Sequence, residues 1–291
     1  MEHVRWLDGG LAPAALTNPV VVAAFTGWND AGDAASTALR TLIETSQARA
    51  VAEIDPEWFT DFATVRPHVR LDGQQHRTIV WPTVGVWAAK LPGADALLVL
   101  GPEPALRWRL FCDQLTGIAR QAGATMAISL GALLADVPHT RPTQLFGTSS
   151  DDSLVERFDL ERSTYEGPTG IVGVLQHALG AAGLATASLW AAVPGYAGQI
   201  VSPKAAMALI ERACAMIGTP VPNSPLVGRD GDYEEQVGGF IGDDDDLRTH
   251  VARLESLADE SGLGDDTPPG LDDTDPTALT AEIERFLKDL E

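Results

Sequence analysis

Val20-Val21-Val22-Ala23-Ala24-Phe25-Thr26-Gly27-Trp28-Asn29-Asp30-Ala31-Gly32-Asp33-Ala34-Ala35 is the stretch whose reading decides the fold. Its first six residues are continuously apolar and half of them β-branched, which suits a strand covered on both faces of a parallel sheet better than an alternating edge strand. The chain then turns on Gly27 and Gly32, a residue type that enters backbone conformations closed to the others. An alanine-rich stretch suited to a helix begins at once at Ala34. Trp28, Asn29, Asp30 and Asp33 are therefore crowded at a strand end, where α/β proteins tend to place function. Asp30 or Asp33 can accept hydrogen bonds from the free amides of the first helical turn. A phosphate cradle is disfavoured, because two carboxylates stand beside the helix start and the glycine spacing fits neither the P-loop nor the dinucleotide fingerprint.

Working outward, strand and helix patterns alternate. Ala34 to Gln47 suits a helix with Leu39, Leu42 and Ile43 on one face, and Arg49 to Asp55 suits the next strand. An aromatic excursion from Pro56 to Phe62 leads to a hairpin from Val65 to Trp81 that turns at Asp72-Gly73. Ala96 to Leu100 is a further buried strand. It ends in Gly101-Pro102-Glu103-Pro104, before a helix from Ala105 to Gln121. Thr125 to Leu130 repeats the strand pattern with Gly131 at its end, and Ala185 to Val193 repeats it again. Ser202-Pro203 supplies a cap and a first-turn proline for a helix reaching Gly218. The alternation predicts an α/β fold of three layers, α/β/α, with a mostly parallel sheet and right-handed crossovers.

Thr219-Pro220-Val221-Pro222 breaks the chain, so residues 1–221 are expected to form the α/β core domain. Residues 222–262 read as a small acidic helical appendage, with short helices over Tyr233 to Phe240 and Leu247 to Ala258. Residues 263–276 read as a flexible linker rich in Gly, Pro and Asp. Residues 277–291 read as an amphipathic helix with Leu279, Ile283, Phe286, Leu287 and Leu290 on or near one face, suited to docking on its own domain or a neighbouring subunit.

The formal charge is −21, and the segment from Arg229 to Glu291, with 20 acidic and 5 basic residues, carries −15 of it. Such a surface repels nucleic acid and anionic membranes, so neither is expected as a partner. Cys112 and Cys214 fall in helical stretches without Cys-x-x-Cys or Cys/His spacing, which reads as core thiols in a reducing compartment. Met1-Glu2-His3-Val4-Arg5 lacks the features of a signal peptide and no apolar run reaches membrane length; the expected location is the cytoplasm. No cofactor or metal motif is present in the sequence.

The turn Gly27-Trp28-Asn29-Asp30-Ala31-Gly32-Asp33-Ala34-Ala35 resembles the signature of the proteasome assembly chaperone 2 family in its actinobacterial branch. Further matches follow in order: Leu100-Gly101-Pro102-Glu103-Pro104, Pro138-His139-Thr140-Arg141-Pro142-Thr143, Gly147-Thr148-Ser149 and Gly170-Ile171-Val172-Gly173. Ser188-Leu189-Trp190-Ala191-Ala192-Val193-Pro194, Tyr196 and Ser202-Pro203-Lys204-Ala205 complete the set. The resemblance implies a fold similar to that of purine nucleoside phosphorylases and a homo-oligomer, with a trimer as one candidate state. It also implies proteasome subunits as candidate partners.

Ligands of open α/β sheets gather at the C-terminal strand ends. The candidate site residues there are Trp28, Asn29, Asp30, Asp33, Glu103, His139, Arg141, Thr148 and Tyr196. If the first turn met the Pro138–Pro142 loop, Asp30, Asp33, His139 and Arg141 could move protons or hold a hard cation. In the structural reading Arg141 pairs with Asp136 or with an acidic residue of the first turn. Trp28 can stack on a base or plug the pocket of a phosphorylase-like fold. Ser129-Leu130-Gly131 is no nucleophile elbow, since Ala127 stands where Gly-x-Ser-x-Gly needs its first glycine. With no complete catalytic constellation, the sequence reads as a non-catalytic protein-interaction or chaperone-like scaffold. The alternative is a small-molecule binding protein or enzyme using the strand-end cleft, for a nucleoside-like or other polar metabolite.

Overall fold

A computed structural model describes residues 1–7, 9–11, 16–73 and 76–260. The linker expected over 263–276 and the helix expected over 277–291 lie outside the described residues. In chain order the elements are β1 (Val4–Trp6), β2 (Val20–Thr26), α1 (Ala34–Thr45), β3 (Arg49–Ile54), β4 (His68–Leu71), β5 (Arg77–Val80), β6 (Val84–Leu91) and β7 (Ala94–Pro102). They continue with α2 (Trp108–Ala122), β8 (Met126–Ala135), β9 (Leu145–Ser149), α3 (Asp152–Phe158), α4 (Ile171–Ala181), β10 (Ala185–Pro194), α5 (Pro203–Ile217), α6 (Asp230–Ile241) and α7 (Asp245–Glu260).

Eight strands form one sheet in the order β1-β3-β6-β7-β2-β8-β10-β9, and β4 and β5 form a separate hairpin. The four strands at the centre, β7, β2, β8 and β10, run parallel. Both flanks are antiparallel, so the sheet is mixed, with its parallel part in the middle. The run Val20-Val21-Val22-Ala23-Ala24-Phe25 is buried on both faces, as its pattern requires: Val22 and Ala24 enter one apolar layer, while Val21, Ala23 and Phe25 enter the other. The first layer is closed by α1 and α5, whose facing alanines, Ala34, Ala35, Ala38, Ala205, Ala206 and Ala213, are all buried. The second is closed by α2 and α4 through Phe111, Leu115, Ile118, Ile171, Leu175 and Leu179. Three layers result.

Two details differ from the sequence reading. The strand expected to stop at Gly131 continues to Ala135. Gly131 pairs with Trp190 across β8 and β10, and a Cβ there would lie 2.5 Å from the indole, so the glycine makes room for an aromatic ring instead of ending a strand. The first strand–helix–strand unit is also not a pair of neighbours, because the β6–β7 hairpin, turning through Pro92-Gly93, lies between β2 and β3.

The helix after β10 starts as expected. The Ala205 N–H donates to Ser202 Oγ at 3.2 Å, Pro203 takes the first position, and Gly218 ends the helix at φ 81°. In the appendage, Tyr233 and Val237 of α6 and Val251 of α7 form a small cluster with Ala197, against which Tyr196 and Ile200 pack. Leu226 packs on the α1–α5 layer, which continues the core past Pro222. Among the described residues no helix is long and apolar enough to cross a membrane.

Candidate functional site

β2 delivers its C-terminal turn into a set of backbone clamps. Gly27 sits at φ 119° and Gly32 at φ 57°. The Gly32 N–H donates to Gly198 O at 3.1 Å, and Ser202 N–H donates to Gly32 O at 2.8 Å. A Cβ on Gly32 would stand 3.0 Å from Ile200 O, so the turn is closed down on the segment that follows β10. The Ala132 N–H donates to Asn29 O at 2.8 Å, which ties the turn to β8 as well.

Within the turn the polar side chains diverge. Asn29 is buried and its Nδ2 donates to Glu103 Oε1 at 2.8 Å. The same carboxylate oxygen accepts the Ile171 N–H at 2.8 Å, so Glu103 caps α4, whose N-cap residue Gly170 has no side chain for the purpose. Asp30 is buried on the other side and accepts the Ser36 N–H at 3.0 Å, filling the α1 capping role. Burial pushes its pKa up, with the Ser36 hydrogen bonds opposing and the Asp33 charge adding. Asp33, in the left-handed region at φ 47°, is exposed. Asn29 Oδ1 and Asp30 Oδ2 are buried without a hydrogen-bond partner among the described residues. Trp28 does not plug a pocket: it is 61% exposed.

The loop carrying His139 and Arg141 serves a different neighbour. No hydrogen bond or ion pair joins it to Asp30 or Asp33 among the described residues. Arg141 Nε and Nη2 donate to Asp259 of α7 at 2.7 and 2.8 Å, a bidentate pair that replaces the expected partners Asp136 or the first turn. That pairing raises the Arg141 pKa and lowers that of Asp259. The Thr140 hydroxyl donates to Glu255 of the same helix. His139 is buried, and Tyr196 Oη stands 2.9 Å from both its backbone N–H and its Nδ1. The hydroxyl accepts from the backbone N–H and has one proton to give, an arrangement satisfied by a neutral imidazole protonated on Nε2. Burial lowers the His139 pKa, against the pull of Glu234 and Glu255 and with the help of Lys204. Tyr196, pushed up to about 12 chiefly by burial, stays protonated.

Thr148 lies on β9, the outermost strand, in register with Ser188 near the start of β10, and is not brought to the turn. Ser129 is buried and bonded to Ser188 Oγ at 3.1 Å, which removes it as a nucleophile. Burial raises the thiol pKa of Cys112 to about 12 and that of Cys214 to about 11.

Three residues outside the predicted set complete these networks. Gly170 lies so close to Asn29 that a Cβ would stand 2.2 Å from Oδ1. Lys204 Nζ donates to His139 O at 3.1 Å and pairs with Glu234 of α6 at 2.9 Å. Asp259 holds Arg141. Gly170 and Lys204 stand in the quoted motifs, but nothing in a linear motif says which distant residue each one meets. Two small interior cavities of about 10 Å3 each lie beside β2: one is lined by Val21, Val86, Leu97 and Leu115, the other by Ala23, Ser129 and Leu175 among others.

The fold and site thus define a three-layer α/β protein whose strand-end polar residues mostly fasten its own turn and helices, with an indole left outside. The chain belongs to the PAC2 family, whose sequence profile matches residues 24–240. It is similar to a PAC2 family protein of Streptomyces avermitilis, at 44% identity and TM-score 0.72 over 80% of this chain and 99% of that one. It is also similar to the Mycobacterium tuberculosis proteasome-assembly chaperone homologue Rv2125, at 39% identity and TM-score 0.72 with the same coverage. The Pyrococcus furiosus archaeal proteasome activator PbaB shares the fold at 16% identity and TM-score 0.64, over 82% of this chain and 99% of that one. No curated protein matches the chain.

Proposed function

We propose that this protein is a non-catalytic, chaperone-like scaffold of the cytoplasm, acting as a homo-oligomer on subunits of the proteasome core. The observation that carries the reading is the division of labour in the turn. Glu103, Asn29 and Asp30 are engaged in capping α4 and α1, while Trp28, the large apolar residue among them, faces solvent at 61% exposure. An exposed aromatic on a rigid turn is the material of an interaction hot spot. The likeness to a proteasome-assembly chaperone homologue supports this choice of client. The test is co-purification of the full chain with proteasome α-subunits, together with the rate of core-particle assembly on native gels. Capture and faster assembly are expected; absence of both sinks the client.

The second reading, a small-molecule binding protein or enzyme, draws on the two buried acceptors without partners, Asn29 Oδ1 and Asp30 Oδ2. A thermal-shift screen against nucleosides, metabolites and divalent cations tests it. A ligand at about a hundred times its Kd adds ~2.7 kcal/mol. Under this reading the shift appears and is lost in Asp30→Asn.

A further inference from the structure

The β4–β5 hairpin stands apart from the main sheet, and every described residue from His68 to Trp81 is exposed. Its register places Val69 opposite Ile79 and Leu71 opposite Arg77. Alternation along each strand puts Val69, Leu71, Ile79 and Trp81 on one face, and they are 49%, 65%, 52% and 47% exposed. A lone two-stranded hairpin is marginal in water, and stability comes from covering an apolar face. Trp81 leans on Phe62, with ring centroids 5.0 Å apart, while Val69, Leu71 and Ile79 stay largely uncovered by the other described residues.

Charge identifies what does. From Arg66 to Trp81 the segment holds three arginines and two histidines against Asp72 alone, in a chain of net charge −21. Arg70 and Arg77 have no ion pair among the described residues. The opposite character occurs on the appendage of the same chain. Phe240 is 62% exposed at the end of α6 and is followed by Asp243-Asp244-Asp245-Asp246. An apolar and basic hairpin is thus matched by an apolar and acidic helix end. Hairpin on hairpin would oppose like charges, and the overall negative charge disfavours nucleic acid and anionic membranes.

We infer that the β4–β5 hairpin is an assembly arm that docks on the acidic α6–α7 end of a second copy of this chain. Each copy offers both an arm and an acceptor, so the contact joins copies reciprocally in a two-fold pair or head-to-tail in a ring or filament. The inference stands independently of the client: assembly is read by sedimentation and α-subunit capture by co-purification, so either can fail alone.

Sedimentation velocity of the full chain tests it across protein and salt concentrations. The wild type is expected to sediment as an oligomer that loosens as salt rises. Arg70→Glu with Arg77→Glu is expected to weaken assembly at least ~100-fold, and Asp243→Lys with Asp246→Lys to do the same. Combining all four is expected to restore assembly. Circular dichroism and the thermal midpoint check that the variants fold, which surface positions permit. A wild type that sediments as a single chain at every concentration overturns the inference, as does an oligomer that either pair of reversals leaves intact.

Discussion

An added Cβ at Gly170 would lie 2.2 Å from Asn29 Oδ1 and 2.5 Å from Nδ2, at a backbone geometry (φ −88°) that alanine adopts freely. Gly170→Ala is therefore a purely steric change. It is expected to push the Asn29 amide off Glu103 and to cost about 1–3 kcal/mol in urea unfolding. Trp28→Ala should leave the melting temperature in place, since the ring is exposed, and weaken α-subunit binding by about 2 kcal/mol or more if the proposed client is right. His139 adds a pH dependence. Burial holds its folded pKa below the ordinary 6.5, so the unfolded chain takes up its proton at the higher pH. The contribution of the neutral ring is whole above about 6.5 and lost as pH falls through the folded value. Denaturation at pH 7.5 and 5.5, values bracketing the histidine range, should show this loss in the wild type and a smaller one in His139→Asn. The capping duty of Asp30 or Asp33 was legible in the sequence, because a carboxylate before a helix start has few other uses. Which of the two performs it was not. That depends on Asp33 taking a left-handed backbone conformation that leaves its side chain exposed.

Elements extend the same lesson. α5 could be read to its ends because its signals are local: a serine cap, a proline and a closing glycine. Ser202→Ala removes the Oγ that accepts the Ala205 N–H, and about 1 kcal/mol of stability is expected to go with it in thermal or urea melts. β6 and β9 escaped notice, and Gly131 was mistaken for a strand end, because sheet neighbours and facing rings are not written in the local sequence. The docking of α7 is of this non-local kind. Arg141, Thr140 and His139 leave one short loop to meet Asp259, Glu255 and Tyr196. Arg141→Ala is expected to speed hydrogen exchange in α7 while the amides of β2 and β8 stay protected, since the ion pair is exposed and the central strands do not rest on it. Equal acceleration throughout would mean that α7 and the core open together.

At the scale of the whole molecule, the two apolar layers close between α1 and α5 on one side and α2 and α4 on the other, while the α6–α7 cluster packs on the turn after β10 and is tied to α5 and the 138–142 loop by the Lys204–Glu234 and Arg141–Asp259 ion pairs. A chain ended at Gly228, which keeps Leu226 on the core, is expected to melt cooperatively, whereas one that loses its cooperative transition would make the appendage part of the fold. The same cut removes the segment carrying −15 of the −21 formal charge, along with the proposed acceptor of the hairpin arm. What the sequence determined by itself was whatever depends on neighbours along the chain: the buried central strand, the glycine turn, the helix caps, the three-layer class and the acidic end. Tertiary structure alone decided the antiparallel flanks, the different bonding partners of Asp30 and His139, the bond of Arg141 to α7 and the exposure of Trp28 and the hairpin. Each of these depends on which distant segment arrives beside a residue, and contacts between segments a hundred positions apart, such as Arg141 and Asp259, leave no periodicity or spacing in either one.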